Sequence, residues 1–274
     1  MEDSAKKILF VNAAMFPYLP ETRIASICRE LPQGIQERRK EIRAFMPRYG
    51  CINERKNQLH EVIRLSGMNI IIGDVDRPLV IKVASISNAR IQVYFIDNED
   101  YFRRKQIYHD EQGNFFADNG ERAIFFARGV LETVKKLRWA PDIIHCSGWI
   151  SHVLPLYLKK AYKDDPIFTD AKVVLSLFED TPAQTLSPGF ARTLQFGGAR
   201  ESDISLPEPA TGMDLAKLAV QYSDGVILGS DSVDGSLVEY SKKSGLPLLE
   251  YNEASFADGS YMDAYNAFYD NLLK

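Results

Sequence analysis

No glycine follows the first apolar run of this sequence. KILFVNA (7–13) is succeeded by AMFPYLPETRI, so the G-x-G-x-x-G that brings a backbone against a dinucleotide pyrophosphate is missing. No G-x-x-x-x-G-K-S/T occurs either, and a P-loop reading lapses with it. There is no surplus of positive charge. Thirty-three Lys and Arg stand against 37 Asp and Glu, a net charge of −4, which argues against a nucleic-acid partner. No stretch approaches the roughly 20 apolar residues of a membrane span. The start, MEDSAKKILFVNAA, places acids before an apolar run too short for a secretory h-region, so the expected location is the cytoplasm. Cysteine is scarce: Cys28, Cys51 and Cys146 are odd in number and far apart, a pattern of reduced thiols and not of a disulfide framework. Neither an internal repeat nor a low-complexity tract is present.

What is present is a chain of 274 residues, 45% hydrophobic, ample for a buried core. KILFVNA reads as a strand buried on both faces. Residues 22–38 place Ile24, Ile27, Leu31 and Ile35 at helical spacing, with Pro32 as an expected kink. EIRAFMP (41–47) is the next strand. Residues 60–97 change to β-rich runs joined by Gly, Asp, Pro and Asn turns, the pattern of an antiparallel meander. Asp118, with Glu121 three residues on, predicts a capped helix through Leu137. DIIHC, a helix over 150–162 and the strand AKVVLSLF (171–178) follow. The Pro- and Gly-rich stretch 179–212 reads as a long loop. After it come a helix (213–222), a strand (225–230), a helix (232–244), a short strand PLLEY and a terminal helix (257–273). Alternation of strand and helix predicts an α/β fold with a mostly parallel sheet.

Chemistry-bearing residues gather near the end of the strand at 141–146. The turn Cys146-Ser147-Gly148-Trp149 sits where open α/β sheets bind ligands, yet it holds no carboxylate. His145, Cys146 and His152 are close in sequence, but a strand-end His–Cys pair alternates faces, so packed side chains are expected in preference to metal ligands. Cys146 lacks a third group to orient a base, which argues against a nucleophile. Glu179-Asp180 ends a strand and suits either acid–base work or a solvated loop start. Tyr251, Tyr261, Tyr265, Phe268 and Tyr269 have the spacing of a helix docked on the body.

Several segments together resemble the N-terminal half of the bacterial glycogen synthases and plant starch synthases. That family opens with a strand, S-E-x-x-P, K-T-G-G-L-A-D-V and A-L-P; the match here is KILFVNAAMFPYLPETRIASICRELP. Its M-P-x-Y-G is Met46-Pro47-Arg48-Tyr49-Gly50. Its V-Y-F-I-D and Y-x-D are Val93 to Asp97 and Tyr108-His109-Asp110. Its D-N-x-x-R-F helix start is Asp118-Asn119-Gly120-Glu121-Arg122. Its P-D-I-I-H-A-H-D-W-H is Pro141 to His145 followed by Cys146-Ser147-Gly148-Trp149-Ile150. Its A-D-x-I-x-x-V-S-P is similar to Ser223 to Asp231. The likeness spans about residues 6–240. It implies a Rossmann-like doubly wound domain, half of a two-domain GT-B glycosyltransferase that moves glucose from ADP-glucose to a glucan end.

The departures fall where that family does its chemistry. The Lys-Thr-Gly-Gly loop for the donor's phosphates is Pro20-Glu21-Thr22-Arg23. Gly148 stands for the Asp before the tryptophan, and Ser147 and Ile150 for the neighbouring histidines. Leu177-Phe178-Glu179 replaces V-H-N. The expected architecture is one domain over 1–274, with a core at 6–245, an inserted β meander, and a helical tail at 246–274 packed back instead of a donor domain. The expected function is a non-catalytic glucan- or sugar-nucleotide-binding or regulatory homologue. Arg23, Tyr108, His145 and Trp149 are its expected ligand-binding residues, with no catalytic residue, no metal and no cofactor. A protein partner or a homo-oligomer fits the same reading. The alternatives are a transferase subunit whose donor domain comes from a separate chain, and a small-molecule enzyme using Glu179, Asp180, Arg23 and Tyr108.

Overall fold

Strand β1 (Lys7–Asn12) is buried at five of its six positions, as a strand covered on both faces must be. It comes from a computed structural model that describes residues 5–274; the acidic start at residues 1–4 lies outside them. Helix α1 (Arg23–Glu37) begins at Thr22, whose side chain accepts the Ala25 N–H, and it contains Pro32. The chain continues through β2 (Glu41–Pro47), β3 (His60–Glu61), β4 (Met68–Ile72), β5 (Val75–Ile86), β6 (Ile91–Asp97), α2 (Glu99–Phe102) and α3 (Asn119–Leu137). Next come β7 (Ile143–Ser147), α4 (Leu154–Lys160), β8 (Lys172–Leu177), α5 (Phe190–Phe196), α6 (Gly212–Gln221) and β9 (Gly225–Leu228). The described chain ends with α7 (Gly235–Lys243), β10 (Leu248–Leu249), α8 (Glu253–Asp258) and α9 (Tyr261–Leu272).

One sheet runs in the order β10-β9-β8-β7-β1-β2-β6-β5-β3, with β4 paired to β5 alone. From β10 to β6 every pairing is parallel; β5 is antiparallel to β6, β3 and β4. The expected meander is therefore grafted on the sheet through β6, which belongs to both parts. Chain order steps from β1 to β2 and β6 on one side, then returns to β7, β8, β9 and β10 on the other. Right-handed crossovers put helices of opposite step direction on opposite faces. Accordingly α1 packs with α9, while α3, α4, α6 and α7 touch in series. The order reverses between β1 and β7, and the carboxyl ends of those strands form the switch point where ligands of such sheets bind.

Four expectations need correction. The stretch 179–212 is not one loop; it contains α5 and a 3₁₀ turn at Glu201–Asp203. Asp118 makes no capping bond: its carboxylate pairs with Arg104 at 2.6 Å, and Glu121 is taken by the Tyr101 hydroxyl at 2.6 Å. The helix expected over 150–162 is a 3₁₀ turn at Trp149–Ser151 followed by the shorter α4. The terminal helix is two, broken at Gly259 with φ 79°, a left-handed geometry that suits glycine.

Helix α9 is held to the body by buried Tyr261, Tyr265 and Tyr269. The Tyr269 hydroxyl lies 2.6 Å from Nδ1 of His145 in β7. Replacing Tyr269 with Phe keeps the ring but leaves that imidazole nitrogen without a partner. The expected loss is about 1–3 kcal/mol in chemical denaturation. An unchanged midpoint would mean the tail is not docked in this way.

Candidate functional site

The turn after β7 is built around a glycine that cannot be replaced without moving its neighbours. Gly148 has φ 86°, and a Cβ there would stand 2.5 Å from the Ala13 Cβ, 2.7 Å from Asp180 Oδ2 and 2.7 Å from the Ile24 Cδ1. Three elements meet on that one Cα: the end of β1, the first turn of α1 and the segment leaving β8. The Ala13 N–H donates to the Ser147 carbonyl at 2.8 Å, which extends the β1–β7 ladder into the turn.

Asp180 fills the notch beside Gly148. The Trp149 N–H donates to its Oδ2 at 3.0 Å. Its other oxygen, Oδ1, is buried without a partner, as is the neighbouring Thr181 hydroxyl. Burial lifts the carboxyl to about 6; the Trp149 N–H opposes that rise and Glu179 adds to it. A carboxylate thus remains at the turn although residue 148 is glycine. Glu179-Asp180 was legible in the sequence only as a pair ending a strand; nothing there showed that one of the two folds back over the turn.

Two of the four expected ligand residues come together. Trp149 is 1% exposed. The Tyr108 ring packs edge-on against it at 4.9 Å, and Phe115 lies 5.9 Å away. The surface of this wall is therefore made by half-buried Tyr108 and Phe115, with Trp149 beneath them. Tyr108 is fixed by Tyr49, whose hydroxyl is 2.7 Å from that of Tyr108 and donates to the Ala13 carbonyl at 3.1 Å. The loop carrying both surface rings is anchored by fully buried Arg122, which donates to the Tyr101 carbonyl at 2.8 Å, the Ile107 carbonyl at 2.5 Å and Asn119 Oδ1 at 2.6 Å. Beside Phe115 opens a cavity of about 330 Å³, its other walls including Gln184, Thr185, Leu186 and Ser187.

The other two expected residues are engaged elsewhere. His145 is 1% exposed, with Nδ1 on Tyr269 and Nε2 2.6 Å from Ser176 Oγ. It joins the sheet to α9 and does not face the wall. Arg23 opens α1, and its guanidinium lies over the Tyr251 ring at 5.0 Å and donates to the Tyr251 hydroxyl. That hydroxyl in turn donates to Glu253 at 2.9 Å. Arg23, the cation of the expected phosphate turn, is thus held by the segment after β10. His152 is buried with neither ring nitrogen hydrogen-bonded, and burial holds both His145 and His152 down to about 3. Burial pushes the Cys146 thiol well up, so it is no thiolate nucleophile. Among the described residues no group of three or more His, Cys, Asp or Glu could hold a metal ion.

A parallel sheet that reverses beside β1, with a strand-end turn and an aromatic wall at the switch point, defines a Rossmann-like α/β domain. The family model described as Starch synthase catalytic domain matches residues 7–249, and the chain belongs to that family. It is 40% identical to a glycogen synthase of Chlorobium limicola over 172 residues, 62% of this chain and 35% of that one. It is 36% identical to a glycogen synthase of Chlorobaculum parvum over 222 residues, 79% of this chain and 46% of that one. The chain therefore spans less than half the length of these relatives. Among solved structures it is similar to the catalytic domain of starch synthase IV from Arabidopsis thaliana bound to ADP and acarbose. The TM-score is 0.68 at 17% identity, covering 90% of this chain and 51% of that one, a likeness of fold.

Two measurements test this site. Gly148→Ala, and Gly148→Asp more so, should destabilise the protein by about 2–4 kcal/mol, because a side chain there is both strained and overpacked. A neutral Gly148→Ala would show the notch to be open.

The second is pH. His145 and His152 are depressed from 6.5 to about 3, so their stabilisation is fully present above pH 6.5 and is lost as pH falls toward 3. Asp180 is raised from 3.8 to about 6, so its contribution is present below 3.8 and is lost as pH rises through 6. The two histidines outweigh the one carboxyl between pH 6 and 4, and stability falls on acidification. Asp180→Asn removes the opposing group. It should raise stability at pH 7.5 by on the order of 1–3 kcal/mol and steepen the loss between pH 6 and 4. An unchanged slope would contradict the burial of this carboxylate.

Proposed function

We propose that this domain is a non-catalytic, carbohydrate-binding member of its family, taking an α-glucan chain at the carboxyl ends of β7 and β8. The observation that carries this reading is the division of the strand-end surface into two unlike parts. On one side, Tyr108 and Phe115 rest on Trp149 beside a cavity edged by hydroxyl and amide side chains. Aromatic faces suit the C–H surface of a sugar ring, and Gln184, Thr185 and Ser187 suit its hydroxyls. On the other side, Glu21 stands at the expected phosphate turn, and Arg23 is engaged by Tyr251. A pyrophosphate needs free N–H donors and cations, and this turn supplies neither a lysine nor a glycine. The names of the relatives and the ADP and acarbose of the structural neighbour fit glucan and nucleotide-sugar chemistry for the family as a whole.

A second reading has one observation in its favour. Asp180 keeps a carboxylate against residue 148, with one oxygen free of protein partners. That group favours a transferase subunit whose donor domain is supplied by another chain.

Calorimetry with maltoheptaose should give a dissociation constant of about 0.1–1 mM, roughly −4 to −5.5 kcal/mol. Gln184→Ala with Thr185→Ala should weaken it at least fivefold at an unchanged melting temperature, since both side chains are exposed. Trp149→Ala should instead cost about 3–5 kcal/mol of stability, as truncation of a buried aromatic does. Radiolabelled glucose from ADP-glucose should not enter glycogen above a no-protein control. Label incorporation by the protein alone, or no heat with maltoheptaose, would overturn the reading. Incorporation only with a second chain carrying a donor domain would support the subunit reading.

A further inference from the structure

The opposite end of the sheet carries a second polar cavity, of about 380 Å³, at the amino-terminal ends of β2 and β6. Arg43 enters it from β2, Gln92 and Tyr94 from β6, Lys136 from the last turn of α3, and Arg64 from the segment between β3 and β4. Three of these side chains are cations, and no carboxylate lines the cavity. Among the described residues none of the three cations takes part in an ion pair.

The cavity is also preorganised. The Arg43 guanidinium lies over the Tyr94 ring at 5.7 Å and over the Trp139 ring at 5.2 Å. Its Nη1 donates to the Tyr94 hydroxyl at 2.6 Å, and that hydroxyl donates to Gln92 Oε1 at 2.9 Å. Glu41, two residues before Arg43 on the same strand, accepts the Trp139 indole N–H. Two aromatic rings and a hydroxyl thus hold one planar fork in place, while Arg64 and Lys136 stand exposed beside it. Lys136 is suited to the helix C-terminus on its own account. That does not explain Arg43, which is directed inward, or Arg64, which belongs to no helix.

We infer that this cavity binds a phosphate monoester carried on a small polar body, a sugar phosphate. A doubly charged phosphate matches three cations, and a guanidinium fork suits its oxygens. The cavity reaches the size range of small-molecule pockets and exceeds the needs of a bare ion. Gln92 and the Tyr94 hydroxyl offer the neutral polar contacts that a sugar would use. The site is separate from the glucan wall and stands whether or not that wall binds maltoheptaose.

The experiment is calorimetry of the full chain with glucose 1-phosphate, inorganic phosphate and glucose, at ionic strength held constant with KCl. Glucose 1-phosphate should bind in the sub-millimolar range, at least fivefold tighter than inorganic phosphate, and glucose should give no heat that the cation variants abolish. The double variant Arg64→Ala, Lys136→Ala, at exposed positions, should weaken glucose 1-phosphate at least tenfold without changing the melting temperature. Arg43→Met should do the same, with its fold checked by circular dichroism. Equal affinity for inorganic phosphate would overturn the sugar-phosphate assignment. No binding of either anion, or binding unchanged in the double variant, would overturn the site altogether.

Discussion

The packing around the Gly148 Cα is the constraint on which the strand-end surface depends. The end of β1, the first turn of α1 and the segment leaving β8 all reach within 2.7 Å of where a side chain would begin. Only a residue without a Cβ lets them close, and only a positive φ turns the chain so that the Trp149 N–H meets Asp180. Once that turn is set, Trp149 lies under Tyr108 and Phe115, and Arg122 fixes the loop above them. The aromatic wall follows from a backbone contact, not from the rings' own affinity for one another.

The polar groups near this turn have largely been drawn into the fold. His145 spans Ser176 and Tyr269, so its two nitrogens join the sheet to the last helix. Arg23 is absorbed by Tyr251, a residue beyond the 7–249 family match. The wall and the cavity beside it present aromatic and neutral polar side chains, while Glu21 and Glu179 stand exposed nearby. At the other end of the sheet three cations without ion pairs among the described residues line one cavity, with Arg43 held against Tyr94 and Trp139. The two cavities thus differ in chemistry: neutral hydrogen bonding beside Phe115, positive charge around Arg43.

The central strands were legible because a strand buried on both faces is written as an apolar run; KILFVNA and AKVVLSLF fall on β1 and β8 within a residue or two. The helices over 23–37 and 119–137 were legible from their 3–4 spacing. The α5 helix was hidden because FARTLQF is flanked by Ser-Pro-Gly and Gly-Gly, and breaker residues dominate any local reading. The capping box at Asp118 failed because Arg104, 14 residues earlier, competes for the carboxylate, a contact no local pattern records. In the site, Tyr108 and Trp149 were found together through the family resemblance. Asp180 over Gly148 and Arg23 under Tyr251 were not, since each depends on a contact between segments distant in sequence.

Hydrogen exchange with and without ligand tests the division of the strand-end surface most directly. With maltoheptaose in excess, amides in 108–117 and 181–189 should slow while those in 20–25 stay unchanged, and ADP-glucose should protect neither region. Protection of 20–25 by ADP-glucose, with none at 108–117 from maltoheptaose, would contradict the account.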